Sequence, residues 1–223
     1  MSTSTSTSSH SSGAVVLVGD SLAEQTAPYL GPLLRGRQLI PQFFFGTAPC
    51  DWLGKDLQIT AGSVVVISFT GNSMTPCMAD NDGSHLAGQA VVDKYTLDVT
   101  ALIGEALTAG ARVLLVGQPV RASSTPGNDV VAGLNHAYSH LANQHNVTLV
   151  DAGAAVENAD GSFAQSLPCR PGEAECGPTG SNVIRSDDGL HFCPGSPPPG
   201  PCQQYSSGAL RFATAIATAV TKL

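Results

Sequence analysis

The stretch "AVVLVGDSLAEQ", Ala14 to Gln25, decides how the rest of the chain is read. Ala14 to Val18 form a continuous apolar run without alternation, the pattern of a strand covered on both faces. The run stops at Gly19, Asp20 and Ser21, and the residues that follow can open a helix. A serine there has two uses. It can cap the helix, or it can stand exposed at the carboxyl end of a parallel strand, where open α/β sheets bind their ligands.

Four more runs resemble the first: "QLIPQFFF" (Gln38 to Phe45), "SVVVISF" (Ser63 to Phe69), "RVLLVGQ" (Arg112 to Gln118) and "VTLVDA" (Val147 to Ala152). Between them, Leu86 to Ala109 and Asn128 to Gln144 carry apolar residues at helical intervals. Strand and helix in alternation predict an α/β fold, with a parallel sheet of about five strands flanked by helices. Residues Asn158 to Gln204 are rich in Gly, Pro, Ser and Cys and show little periodicity. A span of that kind within a compact domain is functional or stapled. A last helix follows in "SSGALRFATAIATAVTKL", with Ser206 or Ser207 as its cap.

Composition narrows the function. Ten Lys+Arg against 17 Asp+Glu give a net charge of -7, with no basic cluster, so nucleic acid is excluded as a partner. No window approaches the roughly 20 apolar residues that span a bilayer. The start, "MSTSTSTSSHSS", lacks the charged and apolar regions of a signal peptide and reads as a disordered tail over residues 1–13, leaving one domain over residues 14–223.

The six cysteines form an even set without the close spacing of zinc ligands. Fifteen pairings are open to six cysteines. Local loop geometry favours Cys169 with Cys176 and Cys193 with Cys202, each pair bracketing a Pro/Gly-rich segment, which leaves Cys50 with Cys77. Buried free thiols, or a zinc site on His191 and Cys193, are the competing readings. A disulfide set implies an oxidising compartment and hence an exported domain.

Chemistry-bearing residues fall just after the strands: Gly19-Asp20-Ser21, Gly46, Gly71-Asn72, and, after the irregular region, Asp188-Gly189-Leu190-His191. Together they supply an acyl-transfer site. Ser21 is the nucleophile and His191 its base. Asp188, three residues before His191, fixes the imidazole. The N–H groups of Ser21 and Gly46 and the amide of Asn72 are the oxyanion donors. Gly46 suits the role because a residue without a side chain admits close backbone approach. Asp187 is the alternative orienter, His85 the substitute base; Asn72 can instead be a turn residue. His136, His140 and His145 lie on or just after a helix and face solvent. Phe43 to Phe45, Trp52 and Phe69 are candidates for an acyl pocket or for core packing.

These four blocks resemble the SGNH or GDSL hydrolase family, whose name spells the residues that are here Ser21, Gly46, Asn72 and His191. "GDSL" at Gly19 to Leu22 and "DGLH" at Asp188 to His191 stand in the family's order, and the likeness runs from Ala14 to the last helix. The third block departs from the family's Gly-x-Asn-Asp, since "FTGNSM" sets Gly71 directly before Asn72 and Ser73 where Asp is usual.

The resemblance implies a three-layer α/β/α flavodoxin-like sandwich and serine esterase, lipase or acetyl-transfer activity on a small-molecule or glycan ester, with no cofactor and no metal. A Cys50–Cys77 bridge would tie the two oxyanion loops together. This arrangement is similar to exported actinobacterial members, some of them fused to or beside membrane acyltransferases that modify envelope glycans. That implies a secreted or cell-envelope bacterial protein, with a membrane acyltransferase as partner and an O-acyltransferase as the alternative activity. A non-catalytic glycan- or lipid-binding module is the third reading; it has no physical need for Ser21, Asp188 and His191 together. The expected state is a monomer.

Overall fold

The computed structural model describes residues 13–195 and 200–223. Of the tail expected over residues 1–13, only Gly13 falls among them. Five parallel strands, β1 (Val15–Gly19), β2 (Leu39–Phe43), β3 (Val64–Ser68), β4 (Arg112–Val116) and β5 (Thr148–Val150), form the sheet in the order β2-β1-β3-β4-β5. Four helices cover it: α1 (Ser21–Leu33), α2 (Gln89–Thr108), α3 (Asn128–His145) and α4 (Ser207–Val220).

The continuous apolar runs serve two cores at once, because successive side chains of a strand point to opposite faces. In β1, Val15 and Leu17 pack toward α1 and α4, while Val16 and Val18 pack toward α2 and α3. The central strands β3 and β4 repeat the alternation, Val65, Ile67, Val113 and Leu115 meeting Tyr95, Leu102, Leu134 and Tyr138. On the other face Val64, Val66, Leu114 and Val116 meet Leu22, Leu30, Phe212 and Ile216. The result is the expected α/β/α sandwich. Its strand order reverses beside β1, so the carboxyl end of β1 opens into the crevice between the ends of β2 and β3.

The second strand is shorter than its apolar run. It ends at Phe43, and Phe44 and Phe45 lie exposed in a turn. The chain leaves the sheet because Thr47 pulls it back: its hydroxyl donates to the carbonyls of Gly19 (3.2 Å) and Phe44 (2.8 Å), while Gly46 takes φ +76°. Trp52 and Phe69 are core residues, buried with Met78 and Tyr95. The irregular region also holds more order than its composition suggests, with an antiparallel pair, β6 (Ser166–Pro168) and β7 (Ser181–Val183), closed by Cys169–Cys176. Cys50–Cys77 and Cys193–Cys202 are bonded as well. Free thiols and a zinc thiolate at Cys193 are thereby ruled out among the described residues. Ser206 caps α4, its hydroxyl accepting from the N–H of Ala209 at 3.1 Å.

Gly19 sits where β1 meets both β3 and α1. A Cβ there would lie 2.4 Å from the Ser68 carbonyl oxygen and 2.5 Å from the Ala23 Cβ, neither of which can swing away. Gly19→Ala is expected to destabilise the protein by about 1–3 kcal/mol through overpacking. Gly46→Ala, whose Cβ would meet nothing within 4 Å, is expected to cost no more than about 1–2 kcal/mol from its positive φ alone. Urea midpoints of the two variants check the order.

Candidate active site

Ser21 is the first residue of α1, so it stands at the positive end of that helix with its N–H pointing out of the sheet's carboxyl edge. It is not the helix cap. Asp20 is: its carboxylate accepts from the N–H of Leu22 at 3.2 Å, which leaves the Ser21 hydroxyl free for another partner. That partner is His191, whose Nε2 lies 3.0 Å from Ser21 Oγ. The other ring nitrogen, Nδ1, lies 2.5 Å from Asp188 Oδ2. An ionised carboxylate accepts only, so Nδ1 carries the proton and Nε2 is left to accept from the serine.

A tight turn sets Asp188 and His191 at this spacing. Asp188 Oδ1 accepts from the hydroxyl of Ser186 and from the N–H groups of Leu190 (2.8 Å) and His191 (3.0 Å), while Gly189 takes φ +68°. Burial pushes the Asp188 carboxyl upward. The donors from His191, Ser186 and Leu190 outweigh that effect and hold it well below the usual carboxylate range. The turn is fastened to α1 one residue on, where the N–H of Phe192 donates to Gln25 Oε1 at 2.7 Å. Asp187 faces solvent, and His85 is exposed in a bridge with Ala79, so neither substitutes for its counterpart.

The proposed oxyanion donors converge by a different route. Asp20 is wholly buried, and its Oδ2 accepts from the N–H (2.6 Å) and hydroxyl (2.7 Å) of Thr70 and from Asn72 Nδ2 (3.0 Å). Burial raises the Asp20 carboxyl, opposed by the hydrogen bonds from Thr70 and Leu22. Asn72 Nδ2 also donates to the Thr47 carbonyl at 3.2 Å, so both of its hydrogens are engaged. The Tyr95 hydroxyl donates to the Asn72 carbonyl at 2.9 Å and holds the loop from the α2 side. Neither Ser21 nor Gly46 gives its N–H to a backbone acceptor among the described residues. A Cβ at Gly46 would meet no other part of the chain within 4 Å, so within the fold the glycine serves the positive φ of the turn.

Cys50–Cys77 joins the segments that follow Gly46 and Asn72, and beside it the Thr75 hydroxyl donates to Asp51 Oδ1 at 2.7 Å. Cys50, Asp51 and Cys77 come together as metal ligands would, yet with both sulfurs in a disulfide they offer no thiolate. Sequence reasoning missed Ser186, Gln25, Thr70 and the inward-facing carboxylate of Asp20. Their roles depend on which distant loop each side chain meets, and none sits in a spacing pattern of its own.

Residues 50–196 match the family described as "Protein of unknown function (DUF459)", a span that includes Asn72, Asp188 and His191 and begins after Ser21 and Gly46. No curated protein is detectably similar to the sequence. Among solved structures, a single-substitution form of Axe2, an acetyl xylan esterase from Geobacillus stearothermophilus, superposes with a TM-score of 0.63 at 13% identity over 94% of each chain. The acetyl xylan esterase AlAXEase superposes at 0.60 and 14% identity, over 93% of this chain and 99% of its own. A Slackia heliotrinireducens protein assigned to the SGNH hydrolases does so at 0.56 and 16% identity, over 92% and 97%. The fold is therefore the one these hydrolases share.

A carboxyl held lower in the folded chain than in the unfolded one stabilises the fold above the unfolded value, and the contribution is lost as pH falls through the folded value. Asp188 is such a group. The difference in unfolding free energy between wild type and Asp188→Asn is expected to shrink as pH drops from about 6 to about 2.5. Urea unfolding at both pH values measures it; a gap that does not change with pH would show that the Asp188 carboxyl has the same affinity for protons folded and unfolded.

Proposed function

The chain belongs to the DUF459 family, and we propose that it is a serine esterase that cleaves carboxylic esters of short-to-medium acyl groups through an acyl-enzyme on Ser21. The observation that carries this reading is the hydrogen-bonded chain from Ser21 Oγ to His191 Nε2 and from His191 Nδ1 to Asp188, with serine and histidine both buried at the carboxyl end of β1. A capping serine or a core histidine needs no such partners. The fold shared with acetyl xylan esterases supports the same class of reaction.

In this reading His191 Nε2 takes the Ser21 proton as Oγ attacks the ester carbonyl, and the imidazolium is stabilised by Asp188. The oxyanion meets the N–H groups of Ser21 and Gly46 at the positive end of α1. Asn72 joins them when its amide exchanges the longer bond to the Thr47 carbonyl for the oxyanion while keeping Asp20 as its anchor. His191 then protonates the leaving alcohol. Water, activated by the same imidazole, releases the acid and restores the serine. The three disulfides support an oxidising, extracytoplasmic setting for this work.

Incubation with a fluorophosphonate and measurement of intact mass tests the nucleophile directly. One adduct is expected in wild type and none in Ser21→Ala, with hydrolysis of p-nitrophenyl acetate reduced at least about a thousandfold. Asp188→Asn is expected to lower kcat by roughly 10²–10⁴-fold, since an amide at this position favours the wrong imidazole tautomer. Labelling or turnover retained in Ser21→Ala would refute the assignment.

A further inference from the structure

The turn after β2 exposes two aromatic rings, one of them beside the imidazole of His191. Phe44 is 66% and Phe45 40% exposed, and Met74, two residues beyond Asn72, is 74% exposed. Single exposed apolar side chains are common on protein surfaces, but the two phenylalanines stand on a hydrogen-bonded turn. The N–H of Phe44 donates to the Gly19 carbonyl (3.3 Å), the N–H of Thr47 to the Phe44 carbonyl (3.3 Å), and Asn72 reaches the Thr47 carbonyl from the neighbouring loop. The Trp52 indole N–H adds a bond to the Thr47 hydroxyl at 3.1 Å. The turn that holds Phe45 is thus bolted to the same strand end as Ser21.

Phe45 also has a defined partner. Its ring stacks on the His191 imidazole with centroids 6.1 Å apart and planes inclined by 20°. In the esterase reading the imidazole gives its proton to the oxygen of the departing alcohol, so whatever that oxygen carries must pass beside the imidazole. A fixed, partly exposed aromatic ring beside it offers an apolar platform without a polar atom.

Resting on that reading, we propose that Phe45 forms the alcohol-side subsite of the enzyme and selects esters whose alcohol presents an apolar ring face. Phe45 is a specificity residue in this account. The oxyanion donors and the triad do the chemistry, and the ring sorts substrates by the group that leaves.

The test holds the acyl group constant and varies the alcohol. Cyclohexyl acetate and isopropyl acetate release secondary alcohols of similar reactivity that differ in ring surface, so the ratio of their kcat/KM values reads the platform. In Phe45→Ala that ratio is expected to fall about tenfold relative to wild type, chiefly through KM for the cyclohexyl ester. Phe45→Tyr, which keeps the ring, is expected to retain the wild-type ratio. The preference between p-nitrophenyl acetate and p-nitrophenyl butyrate, which reports the acyl side, is expected to stay within about twofold. An equal loss on both acetates would show that Phe45 merely supports His191, and a changed acyl preference would put the ring on the acyl side; either result overturns the proposal. A wild type inert toward every ester overturns the esterase reading and the subsite with it, whereas an active wild type with an unchanged ratio in Phe45→Ala overturns the subsite alone.

Discussion

The buried carboxylate of Asp20 is the constraint on which the site depends. One oxygen ends α1 by accepting from Leu22; the other gathers the N–H and hydroxyl of Thr70 and the amide of Asn72. Three pieces of chain, the end of β1, the start of α1 and the distant loop after β3, are thereby held around one residue. A carboxylate taken wholly out of water is tolerable only when its oxygens are met by donors. Here the donors are Thr70 and Asn72, which stand on the loop after β3, so the cost of burying Asp20 and the order of that loop are the same physical fact.

The other half of the site is local. Asp188, Leu190 and His191 close a turn on the Asp188 carboxylate, and the single bond from the N–H of Phe192 to Gln25 relays that turn onto α1, the helix that begins with Ser21. A hydrogen-bonded aspartate and histidine can be built anywhere on a chain as a short turn. Bringing them to Ser21 takes α1 and α4, whose packing on one face of the sheet carries the carboxyl-terminal third of the chain back to β1. The disulfides act at the margins of this arrangement, one across the loops after β2 and β3, one in the β6–β7 pair and one after His191.

The strands and long helices were legible because their periods differ. Val64 to Ile67 and Val113 to Val116 are unbroken apolar runs that suit a two-sided strand, and the spacing from Gln89 to Thr108 suits a helix. The "GDSL" and "DGLH" blocks were legible because each places its chemistry within four residues. Phe44 and Phe45 read as strand because hydrophobicity alone continues the run; the bond from the Thr47 hydroxyl to Gly19, made between neighbouring strand ends, turns the chain away.

The sequence by itself determined the alternation of elements, hence the layered sheet, and the identity of a serine, a histidine and an acid three residues before it. These are local properties, set by side-chain period and by the reach of a single turn. Tertiary structure alone decided that Ser21 Oγ and His191 Nε2, 170 residues apart, stand 3.0 Å from each other, that Asn72 is aimed by Asp20, and that Phe45 lies against the imidazole. Such pairings depend on which strand ends become neighbours in the sheet, and that follows from the packing of two cores together rather than from any one stretch of chain.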